Sequence, residues 1–157
     1  MSSTLLTSYG EYDTAVDLIL SLAETRLDIF DHDLSRLKLD HPSRHAALIR
    51  LLSAPHHQLR IVVQNSRAVV TRHPLLIRLL DTHGHHFSLI EADEKLQHLS
   101  DSIIVADNAH ALLRFHRDQP RGKLLEDEEE EVKPHHRKFL SIFDEGGTPV
   151  SPRVAGL

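Results

Sequence analysis

The sequence contains no cysteine and no tryptophan, and only 4% of its residues are aromatic. Without cysteine, disulfides and thiolate metal ligands are excluded. No apolar run approaches the roughly 18 residues that a membrane-spanning helix needs. The opening residues, MSSTLLTSYGEYD, place no basic side chain before an apolar run. A membrane span and a secretory signal are therefore not predicted, and a cytoplasmic location is expected.

Glycine is also scarce, with six residues, and none of them forms a phosphate-cradling GxGxxG or GxxxxGK[ST] array or a GxSxG elbow. A nucleotide-dependent enzyme and an esterase have no support. The formal net charge is -5, but the run Glu126 to Glu131 (EDEEEE) accounts for six negative charges. Since a duplex-binding protein normally has a basic field, nucleic acid is not a predicted partner. The acidic run is interpreted as a solvated loop; the alternative is that it recruits a cationic partner.

With 157 residues, of which 40% are hydrophobic, the chain suits one domain with a core of Leu, Ile and Val. Residues 1–10 lack periodicity and are predicted to be a flexible N-terminal arm, followed by a single α/β domain over 11–157. Hydrophobic periodicity gives the order α-β-α-β-α-β-β-β-α. Predicted helices cover 11–26, 42–54, 66–83 (in two pieces) and 134–145, and predicted strands cover 27–34, 59–65, 87–92, 102–106 and 110–116. This order predicts an α/β sandwich with a mixed, mostly parallel sheet flanked by helices.

The stretch from Asp101 to Lys123 combines apolar strands with an unusual density of polar side chains. Its two strands are predicted to form a β-hairpin, because the Asp107-Asn108 pair tolerates left-handed backbone. Strand alternation through residue 116 would place Arg114 and His116 on one face.

Four strings in the chain resemble the phospholipase D-like half-domain: IFDHDL, LRIVVQN, IIVADNAH…RFHRDQPRG and RKFLSIFDEG. They resemble in particular a bacterial domain of unknown function assigned to that superfamily, which occurs alone or attached to an acetyltransferase-like domain. The resemblance covers roughly residues 15–157, and RFHRDQPRG is its most specific part. It implies the phospholipase D-like fold and a homodimer, since active relatives pair two halves around one site.

Active members of that superfamily carry a His-x-Lys-x4-Asp signature, in which the histidine attacks phosphorus and the lysine neutralises phosphate oxygens. With Asp107 at the motif aspartate, Ser100 takes the histidine position and Ser102 takes the lysine position. A serine without a base partner cannot replace imidazole as the nucleophile. The resemblance therefore implies a catalytically degenerate relative.

The candidate ligand site consists of Arg114, His116, Gln119 and Arg121, because arginine offers forked donors that match phosphate or carboxylate. The alternative is that these side chains only tie the hairpin to the rest of the fold. The predicted function is a cytoplasmic interaction or anion-binding module for a phosphate-containing ligand, with no cofactor. The competing hypothesis is a phosphodiesterase or phosphatase with a new histidine-centred site, whose catalytic residues would be His116, His110 and Asp107.

Two further groups of residues have alternative interpretations. The 14 histidines include His83, His85 and His86, which suggest a metal site together with His57 or the pair at 135–136. No HExxH or comparable spacing is present, so these are interpreted as loop histidines and no metal is predicted. Asp31, Asp33 and Arg44 could approach the hairpin as an acid/base group, or form a structural ion pair.

Overall fold

The computed structural model describes residues 1–152, so the last five residues of the predicted domain lie outside the described part of the chain. The strands are β1 (Ser2–Leu6), β2 (Arg26–Asp31), β3 (Gln58–Val63), β4 (Phe87–Ala92), β5 (Ser102–Ala106), β6 (His110–Arg114), β7 (Gly122–Glu126) and β8 (Gly147–Pro149). The helices are α1 (Tyr9–Leu22), α2 (Pro42–Leu51), α3 (Ser66–Arg72), α4 (Pro74–Thr82) and α5 (Glu129–Glu145), with a short 3-10 turn at Glu94–Leu96. No helix within residues 1–152 is long and apolar enough to cross a membrane.

The strands form one sheet with the order β1-β7-β6-β5-β2-β3-β4-β8. The prediction of a mostly parallel sheet is wrong: within the described chain only β2–β3 and β3–β4 pair in parallel, and the other pairings are antiparallel. The short connections between β5, β6 and β7 permit only antiparallel neighbours. Their continuous apolar sequences reflect helices on both sheet faces, which bury a strand completely whichever way it runs.

The hydrophobic core has one layer on each face of the sheet. Helices α1 to α4 cover one face, where Tyr12 and Ile19 of α1 pack with Ile29 and Leu112 of the sheet. Helix α5 covers the other face, where Phe139 is fully buried among strand residues. Each buried aliphatic or aromatic side chain contributes about 1.5–3 kcal/mol of transfer free energy, so both layers stabilise the fold substantially.

Residues at the amino terminus form a strand where a flexible arm was predicted. Ser2–Leu6 pairs antiparallel with β7 along its full length. The sequence signal for this strand is weak because SSTLL buries only its last residue. Its partner, β7, was also missed, since the GKLLE segment lies between the polar loop and the acidic run.

The acidic run is not a loop. Glu126 ends β7, and the residues from Glu129 onward form the first turn of α5. Acidic side chains at this position interact favourably with the positive end of the helix dipole. Pro134, predicted to open this helix, lies inside it, where it removes one backbone hydrogen bond.

Candidate functional site

Three neighbouring strands bring polar side chains together at one end of the sheet. Asp31 is the last residue of β2, Ser102 is the first residue of β5, and Arg114 is the last residue of β6. Ser102 pairs with Arg114 across the β5–β6 ladder, and Phe30 pairs with Ile103 across β2–β5. The three polar side chains therefore lie side by side, and each is less than 5% exposed.

Asp31 is held by hydrogen bonds from backbone and serine. Its carboxylate accepts the N–H of Leu34 at 2.7 Å and that of Asp33 at 3.3 Å, and it also accepts the Ser102 hydroxyl. The nearest cation is the Arg114 guanidinium, with Nη2 at 3.7 Å from Oδ1. This distance is too long for a hydrogen bond, so the two groups attract each other only through their charges.

Arg114 is the least satisfied group of the site. Its guanidinium is 5% exposed on the side chain, and it donates no hydrogen bond to any described residue. It lies over the ring of Tyr12, with 5.4 Å between its central carbon and the ring centroid. The Tyr12 hydroxyl is buried and also lacks a partner. Burial, and next the charge of Asp31, raises the pKa of Tyr12 well above its usual range, so the hydroxyl stays protonated and remains a donor.

Arg117 is positioned by two acceptors from neighbouring strand ends. Its Nη1 lies 2.6 Å from Nδ1 of His32 and 3.3 Å from Oε1 of Gln64. Because the Gln64 amide nitrogen donates to the carbonyls of Leu96 and Leu99, its oxygen is fixed toward the arginine. A guanidinium can only donate, so Nδ1 of His32 must be unprotonated and its proton must lie on Nε2.

Arg114, Arg117 and His32 border a polar cavity of about 230 Å³. Its lining consists of Tyr9, His32, Asp33, Ser35, Arg36, Arg114, Arg117 and Asp118. Arg36 lies 4.0 Å above the Tyr9 ring. Partial burial raises the pKa of Asp33, but hydrogen bonds from Ser35 outweigh it, and that pKa is lowered overall. The cavity thus presents three guanidinium groups and two carboxylates to a ligand.

The predicted ligand residues are only partly brought together. Arg114 lines the cavity, whereas His116, Gln119 and Arg121 are exposed on the loop that follows β6. The expectation that Arg114 and His116 share a face does not hold, because β6 ends at Arg114 and the chain turns. His116 instead accepts the backbone N–H of Asp118 at 3.1 Å, and its side chain is 46% exposed.

Asp107 and His110 lie at the opposite end of the β5–β6 hairpin from the cavity. Asp107, with a positive φ of 55°, accepts the backbone N–H groups of Glu24, Thr25 and Arg26. Burial raises the pKa of Asp107, but these hydrogen bonds lower it more, and the net shift is downward. His110 accepts the N–H of Asp127. Both residues therefore fix turns, and neither contacts His116.

The histidine-rich turn has a structural explanation. His86 donates from Nδ1 to the carbonyl of His57 at 2.9 Å, and its Nε2 lies 3.3 Å from Nδ1 of His83. His85 stacks on the His86 ring. Within residues 1–152, no three histidine or acidic side chains are grouped so that they could hold a metal ion.

Arg44 does not reach the hairpin. It donates to Asp17 and to the carbonyls of Leu37 and Asp13, so it ties α2 to α1, and its ion-pair partner is Asp17 rather than Asp31 or Asp33. Three cavity residues, Tyr9, His32 and Arg36, were not identified from the sequence, whereas Arg117 lies in the polar stretch from Asp101 to Lys123. The strand-end position of HDLSR after β2 is the feature that could have indicated His32 and Arg36.

Comparison with known proteins gives a family and a fold. A family profile described as a domain of unknown function (DUF7931) matches residues 10–152. A search of curated proteins finds no significant match.

Solved structures with the same fold include Nuc, a phospholipase D family member, and NucT. Nuc from Salmonella typhimurium has a TM-score of 0.64 with 13% identity, over 96% of this chain and 98% of that chain. NucT from Helicobacter pylori has a TM-score of 0.56 with 12% identity, over 96% and 98%. The archaeal chromatin protein TrmBL2, described as having a novel mode of DNA binding, has a TM-score of 0.70 with 9% identity, over 94% of this chain and 54% of that chain. This chain thus spans about half of TrmBL2 and nearly all of the other two.

Proposed function

The chain belongs to the DUF7931 family, and from the geometry of its cavity we propose that it is a non-catalytic module that binds a small phosphate-containing ligand. In this proposal Arg114, Arg117 and Arg36, which line the cavity, bind the anion. His116, Gln119 and Arg121 lie on the adjoining loop, where they would contact the part of the ligand outside the cavity.

One observation carries the proposal: the guanidinium of Arg114 is buried but donates no hydrogen bond within the described chain. Leaving a buried donor unsatisfied costs about 1–3 kcal/mol, and more for a charged group. Such a cost is offset when a bound anion accepts the free N–H groups. Since phosphate oxygens match the forked donors of arginine, a phosphate group suits the three arginines that line the cavity.

The family resemblance supports the same location. Ser100 and Ser102, which it aligns with the signature histidine and lysine, each contact a residue that lines the cavity, Arg117 and Arg114 respectively. The Ser102 hydroxyl donates to Asp31, and the Ser100 carbonyl accepts the backbone N–H of Arg117 at 2.7 Å. A phosphate-binding role without the nucleophile would thus use the same end of the sheet as the catalytic superfamily members.

The hydrogen bonds of the histidine rings argue against the catalytic alternative. A nucleophilic or basic imidazole needs an unprotonated nitrogen that faces the substrate. Nδ1 accepts a hydrogen bond in each of the three histidines: His32 accepts from Arg117, His110 accepts from Asp127, and His116 accepts from Asp118. In the neutral ring, Nε2 then holds the proton, so the free nitrogen of each is a donor.

The homodimer stays a prediction, because it is implied by the resemblance alone. DNA binding, described for TrmBL2, is not proposed here, because this chain has a formal net charge of -5 and lacks the basic field of duplex-binding proteins.

The proposal predicts saturable binding of inorganic phosphate, which can be followed by tyrosine fluorescence. With no tryptophan, the emission comes from two tyrosines, of which Tyr9 lines the cavity and Tyr12 lies under Arg114. Arg117→Ala removes a charged donor and should raise the phosphate Kd by about tenfold or more. Arg78→Ala, on an exposed arginine of α4, is the matched control and should leave the Kd unchanged.

Two results would overturn the proposal. One is phosphate binding that is absent, or equal in Arg117→Ala and the wild type. The other is hydrolysis of an activated aryl phosphodiester that disappears in His116→Ala or His32→Ala, because this would establish the catalytic alternative. Urea unfolding of each variant shows whether its fold is intact.

A further inference from the structure

A second cavity lies beside the cavity of the candidate site. Its volume is about 200 Å³, compared with about 230 Å³ for the first cavity. Its lining consists of Ser35, Lys38, Asp40, His41, Arg72 and His73. Ser35 lines both cavities, so they meet at the loop between β2 and α2. A ligand that extends past Ser35 would reach both.

Two cations without partners line the second cavity. Lys38 and Arg72 are exposed, and within residues 1–152 neither side chain makes a hydrogen bond or a salt bridge. The carboxylate in the lining is that of Asp40, which accepts the backbone N–H groups of Leu75 and Leu76 at 2.8 and 3.0 Å. Its charge is therefore engaged by the amino terminus of α4, and the two cations remain available to an anion.

His73 gives an independent indication of a ligand in the second cavity. It is 3% exposed, and its Nδ1 is buried without a hydrogen-bond partner in the described part of the chain. Burial lowers the pKa of His73, although the charge of Asp40 and the carbonyl of Val69, which makes no aligned hydrogen bond to the ring, oppose this shift. The ring is thus neutral at neutral pH and carries one N–H. A phosphate oxygen in the cavity would accept it, and buried polar atoms normally have such a partner.

We propose that the two cavities together bind one small molecule that carries two phosphate groups. This inference rests on the proposed function, because the first phosphate occupies the first cavity beside Arg114 and Arg117. The second phosphate lies in the second cavity beside Lys38 and Arg72, whose side chains supply its counter-charge. The spacer between the phosphates is short, since a single residue, Ser35, borders both cavities.

A small bisphosphate fits the charges of the chain better than a nucleic acid does. Proteins that bind a nucleic-acid backbone present a continuous positive groove, whereas here the cations line two separate cavities. A long polyanion would also extend past these cavities, over a chain with a formal net charge of -5.

The first test compares two ligands that differ by one phosphate group, butyl phosphate and the bisphosphate of butanediol. The wild type should bind the bisphosphate about tenfold more tightly or better, because its second phosphate is held at a high effective concentration. Tyrosine fluorescence can follow both titrations, since Tyr9 lines the first cavity. About equal Kd values would overturn the proposal and leave the proposed function intact. Absence of binding by both ligands would contradict the proposed function as well.

The second test removes the cations of the second cavity. Arg72→Ala and Lys38→Gln should each raise the Kd of the bisphosphate by about tenfold and leave the Kd of butyl phosphate unchanged, whereas Arg117→Ala should weaken both ligands. Arg67→Ala, on an exposed arginine of the same helix α3, is the matched control and should change neither Kd. A bisphosphate Kd that is the same in Arg72→Ala, Lys38→Gln and the wild type would overturn the proposal. So would a single-stranded oligothymidylate that binds as tightly as the bisphosphate and is weakened equally by Arg72→Ala, because the cavities would then hold successive backbone phosphates.

Discussion

Strand β2 carries two buried aspartates, Asp28 and Asp31, that face opposite sides of the sheet and have very different partners. On the α5 side, Asp28 is fully buried and receives a bidentate pair from Arg60, at 2.7 Å from Nε and 2.9 Å from Nη2. The same guanidinium lies over the rings of Phe139 and Phe143. Every strong interaction of this ion pair is made within the protein, so its role is to hold α5 against the sheet.

Asp31, on the other side, is equally buried but has no bidentate partner. Its own oxygens are satisfied by Ser102 and backbone N–H groups, while its neighbour Arg114 makes no hydrogen bond. Both aspartates bring an arginine into the interior, but Arg60 donates to its aspartate through two nitrogens, whereas Arg114 donates to no described residue and lines a cavity. Burial of a charge therefore does not by itself indicate a binding site, whereas unsatisfied donors next to open volume do.

The largest expected effect comes from Asp28→Asn. The change leaves the Arg60 guanidinium inside the protein without its counter-charge, and breaking a buried pair in this way costs about 3–5 kcal/mol. Urea unfolding should show a loss of this size, while phosphate binding by the folded protein stays the same. Asp81→Asn, on an exposed aspartate of α4, is the control and should change the stability by no more than about 0.5 kcal/mol. A loss for Asp28→Asn as small as that of the control would show that Arg60 is not held by this pair.

Asp31→Asn should have a smaller effect on stability and a distinct effect on binding. Asparagine can still accept the Leu34 N–H, so the expected loss is about 1–3 kcal/mol. Removal of the negative charge 3.7 Å from Arg114 leaves that guanidinium uncompensated, which favours an anion. The phosphate Kd should therefore fall by about fivefold to tenfold. Unchanged or weaker phosphate binding in a folded Asp31→Asn protein would contradict the proposal that Asp31, unlike Asp28, affects the binding of an anion.

The sequence predicted much of the fold because its signals are local. The hairpin with its turn at Asp107 and Asn108 follows from residues that tolerate left-handed backbone, and it is confirmed, as both have positive φ. Strand direction was not predictable in the same way. A strand covered by helices on both faces is continuously apolar, and this pattern is the same in parallel and antiparallel sheets.

The candidate site was predictable only in part, since it is assembled from distant segments. Arg114 was identified because it lies in the polar row of the hairpin and arginine donors match an anion, but its partner Asp31 is adjacent only because β2 pairs with β5. His116 was expected beside Arg114 because alternation was extended past the end of the strand. Arg36 and Tyr9 have no polar periodicity in the sequence, and they reach the cavity through the loop after β2 and the start of α1.

The smallest predicted effect concerns pH and uses His136, whose Nε2 lies 3.5 Å from Asp28. Burial lowers the pKa of His136, and Arg60 also lowers it, although Asp28 opposes this shift. A histidine has a pKa of about 6.5 in the unfolded chain. Below that value the unfolded state binds more protons than the folded state, so the free energy of unfolding decreases as the pH falls toward the lowered folded pKa. The wild type should thus lose stability between about pH 7 and about pH 5.

His136→Gln should reduce this loss, because glutamine cannot titrate. The remaining loss should come from other histidines whose pKa burial lowers, such as His73. His56→Gln, on an exposed histidine, is the control and should keep the wild-type slope. Urea unfolding at several pH values measures the three slopes. A slope for His136→Gln equal to that of the wild type would mean that the folded protein binds a proton at His136 as readily as the unfolded chain does. The Asp28 carboxylate would then stabilise a second cation, His136, in addition to Arg60, which already donates two hydrogen bonds to it.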